Sequence, residues 1–154
     1  MKNFSTLLVA NRGEIASRVF RTAKKMGLRT VAIYTEADRH SPYVGDADLS
    51  VKIESSYLDS DAIISAAKKS GAEAIHPGYG FLSENHEFAM RVQNEGIVWV
   101  GPDPQSIQIM GDKIEAKKHA IKANLPILES VNDAGSVNDI GYPLMIKAAA
   151  GGGG

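Results

Sequence analysis

There is no cysteine anywhere in the 154 residues, which removes disulfides, thiolate nucleophiles and cysteine-ligated zinc and favours a reducing compartment. Neither sign of charge is in excess. Seventeen Lys and Arg stand against eighteen Asp and Glu, a net charge of -1, so there is no electrostatic footprint for nucleic acid and any anion site must be local. No apolar run approaches the roughly 18 residues of a membrane helix, so no membrane association is expected. The start Met1-Lys2-Asn3-Phe4 leads directly into a strand-like run without the apolar segment of a signal peptide, and a cytoplasmic location is the expectation. His40, His76, His86 and His119 lack metal-ligand spacing, so no metal site is expected in this chain. Both Gly-x-Ser-x-Gly and the Walker A motif are absent.

With 44% hydrophobic and 23% charged residues the composition matches an ordinary soluble globular chain, which excludes disorder as the main state. Short apolar runs alternate with stretches of helical period, the pattern of a parallel sheet wrapped by helices. Strands are expected over residues 6–10, 30–34, 49–53, 74–77, 97–101, 126–129 and 143–147. Helices are expected from about Glu14, with Ile15, Val19, Ala23 and Met26 inward; over 59–70, with Ile63, Ile64 and Ala67 inward; after Ser83, burying Phe88, Ala89 and Val92; and over 112–124. Residues 36–42 read as a polar loop. Pro102, Pro104 and Gly111 punctuate the chain and mark its best internal boundary.

Four places invite a ligand reading. The turn Asn11-Arg12-Gly13-Glu14 sits where a dinucleotide fold carries its fingerprint, but one glycine stands where three are needed, so a structural role for Arg12 and Glu14 is preferred. Gly78-Tyr79-Gly80 lies beyond a strand's carboxyl end, where open parallel sheets bind ligands; its glycines allow close approach or merely serve a tight turn, and Tyr79 can stack on a flat ring. Lys113 opens a helix, a position that an anion would favour. Lys147 ends the apolar run Leu144-Met145-Ile146 just before Gly151, Gly152, Gly153 and Gly154. A charge in a buried strand needs a partner, and a nucleotide phosphate under a glycine lid would supply one, a linker being the alternative for the glycines.

Taken in order, Val9-Ala10-Asn11-Arg12-Gly13-Glu14-Ile15-Ala16, Ala37-Asp38-Arg39, Ile75-His76-Pro77-Gly78-Tyr79-Gly80-Phe81-Leu82-Ser83-Glu84-Asn85 and Met110-Gly111-Asp112-Lys113 closely resemble the biotin carboxylases of the ATP-grasp superfamily. The resemblance covers essentially the whole chain. It implies a Rossmann-like domain over 1–111 and the start of an ATP-grasp domain over 112–154, ending in the glycine lid. It implies a ligase that uses ATP, Mg2+ and bicarbonate to carboxylate biotin on a carrier domain through carboxyphosphate, in an acetyl-, propionyl- or methylcrotonyl-CoA carboxylase.

By the same resemblance Lys113, Lys147, Gly153 and Gly154 contact ATP, Tyr79 and Gly80 lie beside biotin, Glu84 lies near the active centre, and Arg21 sits at a dimer interface. The implied partners are a biotin carboxyl carrier domain, a carboxyltransferase subunit and a second copy of the chain, in cytoplasm or mitochondrial matrix. The magnesium-binding glutamates and the catalytic glutamate and arginine would lie beyond Gly154, so the chain alone is expected to be inactive. One departure stands out: the stretch 126–141 is shorter than the family pattern and lacks its Pro-Gly and the amphipathic helix that follows. Another ATP-grasp ligase, of carbamoyl-phosphate synthase or purine carboxylase type, and a non-catalytic dimerisation module are the alternatives.

Overall fold

Five short apolar runs pair side by side in parallel: β1 (Thr6–Val9), β2 (Arg29–Tyr34), β3 (Leu49–Lys52), β4 (Ala74–His76) and β5 (Val98–Trp99), in the order β3-β2-β1-β4-β5. These come from a computed structural model that describes residues 4–131 and 133–148. The chain divides into two compact units, Met1–Ile107 and Gln108–Gly154.

Because strand side chains alternate, consecutive residues of β1 serve opposite faces of the sheet. Leu7 and Val9 pack with Ala32 and Ala74 against α1 (Gly13–Lys25) and α2 (Pro42–Asp46). Leu8, Val31, Ile33 and Ile75 pack against α3 (Ser60–Ser70) and α4 (His86–Asn94). The winding reverses at β1: β2 and β3 lie to one side and β4 and β5 to the other, so right-handed crossovers place their helices on opposite faces. The ends of β1 and β4 therefore flank the topological switch point at which open α/β sheets bind ligands.

The buried face of α1 is rotated from the expected stripe. Ala16, Phe20 and Ala23 are buried, Ile15 and Val19 are half-buried, and Met26 is exposed. The small Ala16 and Ala23 let the helix approach the sheet on either side of Phe20, whose full burial is worth about 1.5–3 kcal/mol. In α3 and α4 the expected inward residues Ile63, Ile64, Ala67, Phe88, Ala89 and Val92 are all buried. Asp59 caps α3, accepting from the Ala62 amide at 2.9 Å. The cap of α4 is Asn85, which accepts from the Phe88 amide at 2.9 Å, and not Ser83.

Two short helices were not expected: one begins at the last residue of the stretch read as polar loop and the other lies within the stretch read as a boundary. Pro42 opens α2, and Pro104 opens α5 (Pro104–Gly111), which carries Ile107 into the first core. Proline at a first helical position loses no hydrogen bond and presets φ, so Pro104 starts a helix where it was read as part of a boundary, and Pro42 starts one at the end of the polar loop.

In the second unit α6 (Lys113–Lys122) is capped by Asp112, which accepts from the Ile114 and Glu115 amides at 2.8 and 3.0 Å. None of its residues is buried. Neither expected strand here forms: residues 126–129 and 143–147 are not in a ladder. Leu128, Met145 and Ile146 are 87%, 80% and 98% exposed, which corrects the expectation of an apolar run buried around Lys147. A strand needs a neighbour to satisfy its backbone and cover its side chains, and neither segment pairs with the other.

Candidate functional site

The switch point is closed over by one side chain. Asn11 follows β1 and is 2% exposed. Its amide nitrogen donates to the Pro77 carbonyl at 2.8 Å and to the Tyr79 carbonyl at 2.7 Å, and its oxygen accepts from the Arg12 amide at 2.9 Å. Two carbonyl acceptors on one atom fix the orientation of the amide, since only its NH2 end can serve both. Across the crevice the Gly78 amide donates to His76 Nδ1 at 2.9 Å, which makes that imidazole a neutral acceptor protonated on Nε2. Burial lowers the pKa of His76 from the usual 6.5 and holds it in that state.

Held from both sides, the turn takes a backbone that suits glycine. Gly78 and Gly80 have φ of +67° and +63°, and a Cβ on Gly78 would come within 2.5 Å of the Asn11 amide nitrogen. Phe81 follows at φ +45°, uncommon for a bulky residue. It persists because the Phe81 ring rests 5.4 Å from the Tyr57 ring and Leu82, next in sequence, is buried. Tyr79 projects outward, 59% exposed, with its hydroxyl donating to the Glu14 carboxylate. That bond lowers the pKa of Glu14 and raises that of Tyr79. Beyond the turn, Phe81, Glu84, Asn85, His86 and Glu87 line an open depression.

Arg12 and Asp38 pair through two hydrogen bonds, Nε reaching Oδ2 at 2.7 Å and the second amine nitrogen reaching Oδ1. The Asp38 side chain is 7% exposed and that of Arg12 is 47% exposed. The guanidinium bond, aided by Tyr57 and Ser41, holds the Asp38 carboxyl below its usual range. Arg12 also lies 5.9 Å from the centre of the Tyr57 ring. A structural role was expected for Arg12; its partner, 26 residues away, was not legible from spacing.

Tyr79, Gly80 and Glu84 thus share one edge of the first unit, at the carboxyl end of β4. Arg21 is exposed on α1. Lys113 is the first residue of α6, where the Asp112 carboxylate already caps the helix amides. Lys147 is exposed, so the demand that burial would make for a phosphate partner does not arise here. Gly153 and Gly154 lie outside the described residues. The pairing of Asn11 with His76 was not expected from the sequence; its signal was a polar residue at or just past the carboxyl end of each of two neighbouring strands, His76 closing β4 and Asn11 two residues beyond β1.

Among the described residues no group of three His, Asp or Glu could hold a metal ion, and no helix is long and apolar enough to cross a membrane. The chain matches the family described as biotin carboxylase, N-terminal domain, over residues 3–107. It is 52% identical to the propionyl-CoA carboxylase alpha chain, mitochondrial, of Homo sapiens, with 99% of this chain and 23% of the human protein covered. Against biotin carboxylase 2 of Bacillus subtilis the identity is 45%, with 98% and 37% covered. The chain therefore spans about a quarter to two-fifths of these relatives.

Among solved structures, the biotin carboxylase domain dimer of Hydrogenobacter thermophilus 2-oxoglutarate carboxylase, in complex with MgADP, ADP and bicarbonate, superposes with a TM-score of 0.90 at 43% identity, covering 99% of this chain and 36% of that one. Rhizobium etli pyruvate carboxylase gives 0.91 at 39% identity, covering 99% and 15%. With its parallel sheet, its glycine turn at the switch point and this degree of identity, the chain belongs to the biotin carboxylase N-terminal domain family.

Proposed function

We propose that the chain is the amino-terminal part of an ATP-dependent biotin carboxylase that serves an acyl-CoA carboxylase. The observation that carries this reading is the Gly78-Tyr79-Gly80 turn, held at the switch point with the Tyr79 ring presented to solvent. The residues fit one face of a ring-shaped ligand such as the biotin ureido group: an exposed aromatic beside a backbone with no Cβ at Gly80. In this reading Tyr79 and Gly80 lie beside biotin, and Glu84, three residues past Phe81, borders the active centre. Lys113, Lys147, Gly153 and Gly154 face ATP, and the exposed Arg21 meets a second copy.

Residues 1–111 form the Rossmann-like domain and 112–154 begin the ATP-grasp domain. ATP with Mg2+ supplies the phosphoryl group that activates bicarbonate as carboxyphosphate, and carrier-bound biotin receives the carboxyl group. The partners are a biotin carboxyl carrier domain and a carboxyltransferase subunit, in cytoplasm or mitochondrial matrix. In this reading the residues of this chain position substrate, and the magnesium-binding glutamates and the catalytic glutamate and arginine belong to the rest of the enzyme.

The test is bicarbonate-dependent ATP hydrolysis, with and without free biotin. The chain alone is expected to be silent. A hybrid that joins it to the remainder of biotin carboxylase 2 is expected to turn over with biotin stimulation. Biotin-stimulated turnover by the chain alone would overturn the claim that it is a part, and biotin-independent ATP cleavage by the hybrid would favour a ligase of carbamoyl-phosphate synthase type.

A further inference from the structure

We infer that Asn11, with His76 opposite it, is the positioning residue of the Gly78–Gly80 turn and so sets where the Tyr79 ring and the Gly80 backbone stand. The functional half of this inference rests on the reading that Tyr79 and Gly80 lie beside biotin; the structural half does not.

Asn11 is almost wholly buried, and both of its amide protons and its carbonyl oxygen are in use. Two of the three bonds go to carbonyls of the turn, at Pro77 and Tyr79, on either side of Gly78. The third goes to the Arg12 amide, which anchors the side chain to the start of α1. His76 takes an amide of the same segment, that of Gly78. Three consecutive residues, 77 to 79, are thereby held by side chains from the ends of two neighbouring strands, β1 and β4, themselves in register from Leu7↔Ala74 to Val9↔His76.

A turn of this length could otherwise rotate the Tyr79 peptide by turning its carbonyl to water, since glycine on each side opposes little rotation. Asn11 removes that freedom. Steric fit reinforces the polar one, because Asn11 Nδ2, Cγ and Cβ stand 2.5, 2.9 and 3.0 Å from where a Gly78 Cβ would be. Aspartate in place of Asn11 would keep the shape and oppose oxygen to the two carbonyls, so shape and hydrogen bonding can be tested separately.

Amide hydrogen exchange on the whole chain reads the structural half. In Asn11→Asp and Asn11→Ala, exchange over residues 78–83 is expected to rise at least about tenfold while the β2 amides of Val31, Ala32 and Ile33 keep wild-type protection. Gly78→Ala provides a second route if those variants fold poorly: it should loosen the same residues, and its effect should shrink when Asn11 is already Ala, because the two closest atoms, Nδ2 and Cγ, are then gone and only the Cβ contact at 3.0 Å remains. Wild-type protection of the turn in folded Asn11→Asp, or equal effects of Gly78→Ala with and without Asn11, would overturn the inference.

The functional half is read in the hybrid carboxylase described above. Asn11→Asp is expected to raise KM for free biotin about tenfold and leave KM for ATP within about twofold, a split that general loss of stability would not give. A loosened turn with biotin KM unchanged would sustain Asn11 as the clamp and remove biotin as what the turn positions. Loss of both KM values together would overturn the positioning claim in favour of a general structural role.

Discussion

The Tyr57 hydroxyl donates to the Asp38 carboxylate at 2.7 Å, and that one proton fixes the direction of every hydrogen bond around it. With its proton committed, the Tyr57 oxygen accepts from the Thr35 amide at 3.2 Å. The Tyr43 hydroxyl, 2.8 Å from that of Tyr57, has one proton for two acceptors, the Tyr57 oxygen and the Ile33 carbonyl at 3.0 Å. The chain of bonds therefore runs from Tyr43 through Tyr57 to Asp38, and Arg12 closes it with a positive charge. It joins the end of β2, the turn at 36–38 and α2 to the residue that opens α1.

Tyr57→Phe is expected to cost about 1–3 kcal/mol, because it leaves the Thr35 amide without its acceptor and takes from Asp38 Oδ2 one of its two donors, the other being Arg12 Nε, in a buried setting. Tyr43→Phe should cost less, about 1 kcal/mol, since Tyr43 bonds no charged group. Urea denaturation followed by Trp99, which is buried edge-on against Phe88 at 5.6 Å, would measure both. Equal costs would contradict the direction assigned to the bonds.

The Arg12–Asp38 pair is asymmetric in burial, and its variants should be asymmetric in effect. Arg12→Met strands a buried carboxylate and is expected to cost about 3 kcal/mol, whereas Asp38→Asn leaves a half-exposed guanidinium that water can reach and should cost less. The Asp38 pKa is lowered in the fold, so its contribution is present above the ordinary value near 3.8 and is lost as pH falls through the lowered one. Acid unfolding of Asp38→Asn should accordingly be flatter below pH 4 than that of the wild type.

Asp48 gives a second acid-sensitive contribution with a bounded window. Its carboxylate accepts from the Thr30 amide at 2.8 Å and hydroxyl at 2.7 Å and pairs with Lys24 at 3.0 Å, bringing its pKa from 3.8 to about 2. A lowered carboxylate pKa stabilises above the unfolded value, so this contribution is whole above about pH 4 and fades between there and about 2. The side chain is 39% exposed, and solvent screening reduces the expected cost of Asp48→Asn to about 1 kcal/mol at neutral pH. The difference between the two proteins should vanish near pH 2, and a constant difference across the titration would refute the assignment.

Most of the sheet was legible because a buried parallel strand is an unbroken apolar run, and the expected strands over 30–34, 49–53 and 74–77 each differ from those observed by one residue. Ser60–Ser70 was legible for another reason: Asp59 and Gly71 are unambiguous start and stop residues. The buried face of α1 was not, since Ile15 and Val19 outweigh Ala16 on any hydropathy count while the sheet surface accepts Ala16 more closely. The helices opened by Pro42 and Pro104 were not legible because a proline at a first helical position and one in a loop or boundary are the same letter. At the site the glycines announced the turn, but what holds it, Asn11 and His76, depends on β1 and β4 being neighbours, and sheet order is not written locally.

His76 yields a prediction from its acceptor role. Protonation would place a proton on Nδ1, where the Gly78 amide now donates, and burial lowers the pKa below 6.5. The unfolded chain takes up the proton first, so stability is whole above about pH 6.5 and declines as pH falls below it. Nitrogen-15 NMR of the imidazole should show Nδ1 bare and Nε2 protonated at pH 6.5. An Nδ1-protonated tautomer there would contradict the bond to Gly78.

The exposed apolar residues of the second unit make the last prediction a contrast of positions with the same chemistry. Ile146 is 98% exposed and Ile63 fully buried, so Ile146→Ala should change stability by no more than about 0.5 kcal/mol, while Ile63→Ala should cost about 2–5 kcal/mol. The match to the human relative runs over 166 residues where this chain has 154, so the relative carries about a dozen residues more across the same stretch. Residues 143–147 form no strand and leave Met145 and Ile146 exposed, and the prediction is that the relative's extra residues fall between Pro126 and Gly141 and supply the cover that this run lacks. Restoring a family-length segment between Pro126 and Gly141 should then bury Ile146 and make Ile146→Ala costly, by about 2 kcal/mol or more. If Ile146→Ala is already that costly in the chain as it stands, the run is paired in solution, and the shortened segment is not what keeps it exposed.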